Sequence, residues 1–345
     1  LQMLRWVVVR SRLLKSSAGM ALLVTLLLRE MGPRLSFFLD FGQDLGWSAG
    51  QLKVLEVIVR LLPMAQLPSD PFSPLALPLS IGGPLLLGAL LLVSLLVNKI
   101  FFIAFASVLL GVSAFELSTA LRHMNRRVPR TPSVITAVAA VFVAYFFGMG
   151  WVFLTVSLGI GLTALWRFLE VKRGIHAVDD TNLHKDLLAS GFVQLYVTLL
   201  GSFCVALVSM PDGQWWTLAF LITVVSVDIG AYVSGLNFGK HPMAPKISPK
   251  KTWEGFAGAG VFAITAGILL SIFMLGQPWW FGVIFGTILL VTATLGDLGE
   301  SHIKRTIGIK DMSSWLAGHG GFLDRLDSIL PSSLVTFLLY LAVTH

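Results

Sequence analysis

Residues 187–236 read LLASGFVQLYVTLLGSFCVALVSMPDGQWWTLAFLITVVSVDIGAYVSGL. Two apolar runs, 187–209 and 215–236, are parted only by the short connection Pro211–Gln214, and between them they hold a single acid, Asp228. A helix of about 20 apolar residues crosses the hydrocarbon core of a bilayer, so each run has the length of a span. Backbone groups facing lipid must be satisfied within the chain, and runs this long suit helices better than barrel strands. Working outward, the same pattern recurs at 82–97, 100–117, 133–149, 151–168, 255–275, 279–297 and 327–343. The expected fold is therefore all-α, a polytopic membrane protein of about nine transmembrane helices. The first two runs, separated only by Asn98 and Lys99, read as a tight helical hairpin.

Composition agrees. Of 345 residues, 55% are hydrophobic and only 12% charged, about half the charged share of ordinary soluble domains. The mean hydropathy is +0.82. The single cysteine, Cys204, excludes an internal disulfide and a Cys-based zinc cluster. The net charge of +7 reads as membrane orientation rather than nucleic-acid binding. Lys and Arg fall after the second, fourth, sixth and eighth spans and within residues 1–75; Lys99 alone falls on the opposite side, and the other 24 agree. By the positive-inside rule that side is cytosolic, with the C-terminus outside. Residues 1–78 read as an N-terminal extension ahead of a membrane domain at 79–345. Within the extension, 52–62 places Lys53, Glu56 and Arg60 opposite Leu52, Leu55 and Val59, the pattern of a helix lying in the membrane interface or packed on a soluble surface.

Ionisable residues in or beside spans are rare and usually functional. Asp228 lies in the sixth span, Asp297 ends the eighth, and Asp324 and Asp327 open the ninth. Each acid could simply pair with a nearby Lys or Arg, but four on one leaflet favour a shared cation. An i, i+3 spacing puts Asp324 and Asp327 on one helix face, and a helix C-terminus at Asp297 would disfavour an anion without one. Hard oxygen donors without His or Cys point to Mg2+, which keeps waters and substrate phosphates in its shell. The cations complement them. Ile247–Gly255 reads ISPKKTWEG, with Pro249 where a helix could begin and Lys250 and Lys251 after it, an arrangement suited to a phosphate. Lys304, Arg305 and Lys310 form a second cluster, and Gly320 and Gly321 permit close backbone approach or positive φ around a bulky anion. Arg122, Arg126, Arg127 and Arg130 read as topology determinants touching headgroups. Carboxylates, a metal and a basic phosphate cradle together suggest phosphoryl or nucleotidyl transfer. Walker A and HExxH motifs are absent.

At these residues the chain resembles the phosphatidate cytidylyltransferase (CDP-diacylglycerol synthase) family. The resemblance rests on Ser301-His302-Ile303-Lys304-Arg305, then Lys310-Asp311, then Gly318-His319-Gly320-Gly321-Phe322-Leu323-Asp324-Arg325-Leu326-Asp327, a specific spacing over 27 residues. Gly296-Asp297-Leu298, Glu300, Asp228 with Ala231-Tyr232, Gly235, Phe238-Gly239-Lys240 and Ile247–Gly255 extend it across roughly residues 80–345. The family usually has proline where this chain has Ala317, which loosens one turn.

The resemblance implies that a phosphatidate oxygen attacks the α-phosphorus of CTP to give CDP-diacylglycerol and pyrophosphate. It implies Asp297 and Asp324 as leading metal ligands, with Asp327 and Asp228 beside them and room for a second cation. Lys304, Arg305 and Lys310 would neutralise the triphosphate, while Ser248, Lys250 and Lys251 would hold the other phosphate. Ser301, Asp311, Gly320, Gly321 and Tyr232 join the substrate-binding set. His319 would contact phosphate, orient a carboxylate or make a structural hydrogen bond in its turn, and Arg325 would orient the flanking acids. Asp228, Tyr232 and Gly235 share one helical face (i, i+4, i+7), lining a cavity open to the cytosol. The expected site is the inner (cell) membrane with its active site toward the cytosol. The expected partners are CTP, phosphatidate and membrane lipids, with no nucleic acid; a homodimer is one form the chain could take. Three rivals stand: a cytidylyltransferase for another lipid phosphate, a catalytically weak paralogue suggested by Ala317, and a secondary transporter, whose inverted repeats are not found here.

Overall fold

A computed structural model of the chain describes residues 91, 94–96, 99–173, 183–313, 315 and 320–344, all within one compact unit. The expected extension at 1–78, most of the expected span 82–97, Ala317 and His319 lie outside the described residues.

The fold is built from helices, and the other eight expected spans each have a counterpart. α1 (Lys99–Ala120) ends in a 3-10 turn at Leu121–Met124 and packs on α2 (Arg130–Phe146), which packs on α3 (Met149–Lys172). The next span, Leu183–Ser209, is α4 (Leu183–Val193) and α5 (Leu200–Ser209) joined by a π-helical turn at Gln194–Leu199. α6 (Gly213–Phe238) leads through a two-stranded antiparallel hairpin, β1 (Pro242–Ala244) and β2 (Ser248–Thr252), into α7 (Trp253–Phe273). α8 (Trp279–Ile307), the four-residue α9 (Leu323–Leu326) and α10 (Ile329–Thr344) complete the order. Seven helical segments among the described residues are long and apolar enough to cross a membrane, and α2 is a shorter apolar helix of 17 residues.

α6, α7 and α8 pack side by side, with α10 against α5, α6 and α8. Glycine makes the α7–α8 contact possible. A Cβ on Gly267 would lie 2.4 Å from the carbonyl oxygen of Gly282, and one on Gly286 would lie 2.4 Å from that of Ala263. Small residues of this kind let membrane helices approach backbone to backbone, where packing rather than the hydrophobic effect drives association.

Many hydroxyls inside the spans are satisfied locally. Ser107, Ser118, Ser133, Thr136, Ser202, Thr217 and Thr223 each donate to the carbonyl four residues earlier. Lipid offers no other acceptor, so such back-bonding lets hydroxyls sit in an apolar helix. Tyr340 Oη reaches between elements to the Pro211 carbonyl at 3.0 Å. The short connections are flanked by exposed Trp151, Trp215, Trp279 and Trp280, the aromatic residues that favour a membrane–water interface.

Four expectations change. α8 continues ten residues past Asp297, so Asp297 is mid-helix and the argument from a helix C-terminus does not apply. Its polar extension reads like a loop in hydropathy but holds helical i, i+4 pairs such as Glu300–Lys304. Lys250 and Lys251 lie on β2 rather than in a helix's first turn, because the helix starts at Trp253 behind the N-cap Thr252, whose Oγ1 accepts from Gly255 N at 3.1 Å. Asp324 and Asp327 do open the last apolar segment, Leu323–Thr344, but Asp324 belongs to α9 and Asp327 to the turn that ends it, not to one continuous helix. The basic segment at 122–130 does more than set topology. Arg130 is buried over the Phe115 ring at 5.1 Å, and Arg127 N donates to Asp186 Oδ1 at 3.0 Å. Asp186 Oδ2 in turn accepts from buried Arg167 Nε at 2.9 Å, tying α3 and α4 to that segment.

Candidate active site

A cavity of ≈ 280 Å³ opens where the end of α6, the hairpin, the start of α7 and the middle of α8 meet. Asp228, Tyr232, Lys250, Lys251, Thr252 and Asp297 line its polar part, and Val227, Phe256 and Ala293 are among its apolar walls. Each residue arrives for a local reason. The i, i+4 spacing places Asp228 and Tyr232 on one face of α6. The hairpin is held against α8 by Arg305, whose Nε donates to the Ile247 carbonyl at 3.3 Å. It is held to α7 by Glu254, which accepts from Lys240 N and His241 N. The hairpin thus delivers Lys251 Nζ to 2.6 Å from Asp297 Oδ2 across the cavity wall, and Ser301 Oγ contacts Asp297 Oδ1 at 3.3 Å.

Beside this cavity stands a second group of charges. Lys304 Nζ bridges Glu300 Oε2 and Asp324 Oδ1, each at 2.8 Å. Glu300 is 0% exposed, Lys304 14% and Asp324 8%. Asp324 Oδ2 accepts from Gly321 N at 2.6 Å and Met312 N at 3.0 Å. Asp327 interacts with Glu300 of this group and with Asp297 and Asp228 of the cavity. Taking charges out of water is unfavourable unless they are paired and hydrogen-bonded; Lys304 pairs with both acids and Asp324 has two backbone donors, whereas Glu300 Oε1 is buried without a hydrogen-bond partner.

The structure thus brings together Asp228, Asp297, Lys250, Lys251 and Tyr232 in one cavity, and Asp324, Lys304, Gly320 and Gly321 in the group beside it. Ser248 is half-buried on β2, paired in register with Ala244. Lys310, Asp311 and Arg325 are exposed. Gly320 has φ +77°, as expected of a turn glycine. The anions that the two glycines approach are the protein's own: an added Cβ would lie 2.6 Å from Asp324 Oδ2 at Gly320 and 2.7 Å from Glu116 Oε2 at Gly321.

Two acids beside the site are absent from the residues singled out by sequence: Glu300, named only as part of the resemblance, and Glu116. Glu300 stands in what looked like a loop. Glu116 lies inside an expected span, so the rule that singles out Asp228 singles it out equally. It is buried on α1, and its carboxylate accepts from Ser313 Oγ, Phe322 N and Leu323 N.

The donor set suits a magnesium ion in one respect that can be read directly. Asp297 and Asp324 each already hold a cationic ammonium, at 2.6 and 2.8 Å, so their oxygens are placed to take positive charge. Among the described residues no three His, Cys, Asp or Glu side chains form a metal-holding group. The remaining ligands would be waters and substrate phosphates, the shell magnesium commonly takes.

The profile of the cytidylyltransferase family matches residues 83–343. Phosphatidate cytidylyltransferase of Mycobacterium bovis is 38% identical over 241 residues, covering 68% of this chain and 79% of its own length. That of Mycobacterium leprae is 35% identical over 275 residues, covering 76% and 86%. That of Brucella melitensis biotype 1 is 36% identical over 153 residues, covering 44% and 54%. With a match of this extent, the chain belongs to the cytidylyltransferase family.

Proposed function

We propose that the chain is the enzyme that transfers the cytidylyl group of CTP to phosphatidate, giving CDP-diacylglycerol and pyrophosphate at the cytosolic face of the cell membrane. The observation that carries this reading is the ion pair of Lys251 and Asp297 in the lining of a cavity with a polar part set among apolar helices. A cavity so placed would admit a soluble nucleotide from one side and a lipid headgroup from the other. The family match and the phosphatidate named for the mycobacterial relatives support the substrates. The distribution of Lys and Arg supports the orientation.

In this reading a phosphatidate phosphate oxygen forms a bond to the α-phosphorus of CTP. The bond from that phosphorus to the bridging oxygen breaks, and pyrophosphate leaves with the electron pair. Positioning and charge neutralisation are the protein's main contributions to such a displacement. Lys250 and Lys251 would hold one phosphate group at the cavity wall, with Ser248 beside them. Asp297 and Asp324 would hold magnesium, with Asp228 and Asp327 nearby. Bound there, the ion would neutralise triphosphate charge and polarise the reacting phosphoryl group. Ser301 would keep the Asp297 carboxylate oriented, and Arg305 would keep the hairpin seated on α8. Lys304 would balance Glu300 and Asp324, while Lys310 on the exposed side would meet the leaving pyrophosphate.

Purified chain in detergent, given labelled CTP, phosphatidate and magnesium, should move label into a lipid product and release pyrophosphate. Absence of both products would defeat the proposal. A product formed only when an isoprenoid phosphate replaces phosphatidate would change the lipid assignment.

A further inference from the structure

We propose that Glu116, on α1, is a positioning residue that sets the placement of Asp324 for the transfer reaction. The inference rests on the reading of Asp324 given above, and on hydrogen bonds that stand independently of it.

Two carboxylates share one pair of chain segments. At the first segment, Met312 N donates to Asp324 Oδ2 at 3.0 Å and Ser313 Oγ donates to Glu116 Oε1 at 2.6 Å. At the second, three successive amides divide between the same acids. Gly321 N donates to Asp324 Oδ2 at 2.6 Å, Phe322 N to Glu116 Oε1 at 3.1 Å, and Leu323 N to Glu116 Oε2 at 2.9 Å. Glu116 thus braces from the α1 side the turn that Asp324 braces from its own. Asp324 is also held by Lys304 Nζ at 2.8 Å, but the segment that carries it depends on such contacts, since α9 is only four residues long and cannot fix its own register.

Glu116 is only 2% exposed, so its charge is kept in a poorly solvated place. A buried carboxylate is tolerated when several donors satisfy it, as the two backbone N–H groups and the hydroxyl do here. The sequence around the turn conforms to this contact. A side chain at Gly321 would put its Cβ 2.7 to 2.9 Å from the atoms of the Glu116 carboxyl group. Glycine there allows the turn to settle onto the acid. Glu116 contacts no group in the cavity at Asp297, so it would act through the turn rather than on substrate.

The test uses the full chain in detergent and Glu116→Gln, which preserves volume and one carbonyl acceptor while removing the charge. Two measurements are needed: turnover per folded molecule, with kcat and KM for CTP separated, and amide exchange by mass spectrometry. The expected result is a fall in kcat of about 10-fold to 100-fold, the usual consequence of losing a partner that orients a metal or catalytic ligand. KM should change much less. Exchange should quicken in peptides covering 320–326 and stay unchanged in peptides from α6 and α7. A kcat within twofold of the parent would overturn the proposal, as would faster exchange throughout the protein, the signature of a merely structural acid. Should Glu116→Gln not fold, Ser313→Ala decides. It removes one donor to Oε1, and unaltered exchange at 320–326 together with unaltered kcat would overturn the brace. A parent that makes no CDP-diacylglycerol would sink the functional reading alone, because the exchange measurement reads the brace without turnover.

Discussion

Replacing Lys304 by Met keeps most of the aliphatic stem and removes the ammonium that joins Glu300 to Asp324 at 2.8 Å on each side. Two acids, 0% and 8% exposed, would then face each other without their shared cation. Removing one partner of a buried ionic group destabilises by about 3–5 kcal/mol, because the charge left behind lacks compensation. At 14% exposure the Lys304 side chain is little screened by solvent, so that range applies to it. The second half of a cycle makes the cause explicit. Adding Glu300→Gln to Lys304→Met deletes one of the stranded charges and should recover about 0.5–3 kcal/mol, the range of coupling between residues in contact. Stability would be read by reversible denaturation in mixed micelles, alongside turnover of the folded fraction. Lys304→Met within about 0.5 kcal/mol of the parent, the scatter of ordinary surface substitutions, would refute the reasoning. So would a double variant no more stable than the single one. Regained stability without regained turnover would show that the ammonium also serves the reaction.

Three further outcomes follow from the geometry. Lys251→Ala should lower turnover at least about 100-fold in the CTP assay; because Lys251 and Asp297 are 26% and 32% exposed, their pair contributes at most about 1 kcal/mol to stability. Asp297→Asn should nearly abolish turnover while membrane insertion is unchanged, and chelation of magnesium should silence the parent until the ion is restored; activity surviving both treatments would remove the metal from the proposal. Asp186→Ala, far along the chain from the cavity residues, should destabilise by about 3 kcal/mol, the low end of the range for a broken buried pair because Arg167 keeps Glu170 at 3.3 Å, yet turnover per folded molecule should match the parent.

The spans were legible because hydrocarbon thickness imposes a length and lipid tolerates few charges, conditions a single sequence displays openly. Asp297 and the Gly320-to-Asp327 stretch were legible for a different reason: acids and glycines are conspicuous against an apolar background. The far half of α8 was not. Beyond Asp297 the run LGESHIKRTI mixes charged and polar residues with three large apolar ones, and hydropathy cannot tell a helix leaving the membrane from a loop. The pairing of Glu300 with Lys304, and of Lys304 onward to Asp324, ties that segment to α9. Local propensity equally misplaced Lys250 and Lys251, because the strand they occupy is fixed by contacts with β1 and with Arg305, 54 residues beyond Lys251. Glu116 illustrates the remaining gap. Its presence in a span was visible, but its partners at Ser313, Phe322 and Leu323 stand 197, 206 and 207 residues away, and nothing in a linear reading connects them.

The glycine seam between α7 and α8 has a mechanical outcome at its far end. Where Gly267 meets Gly282 and Gly286, peptide groups press on peptide groups, and no side-chain rotamers are available to absorb a slip of one rod along the other. Two rods clasped in that way behave as a single stiff chassis. Lys251 is mounted two residues before one rod and Asp297 partway along the other, so their separation is inherited from the clasp rather than adjusted on the spot. Widening to admit a bulky headgroup therefore falls to α6 and the hairpin tip, and bulky residues forced into the clasp should blunt catalysis from a distance.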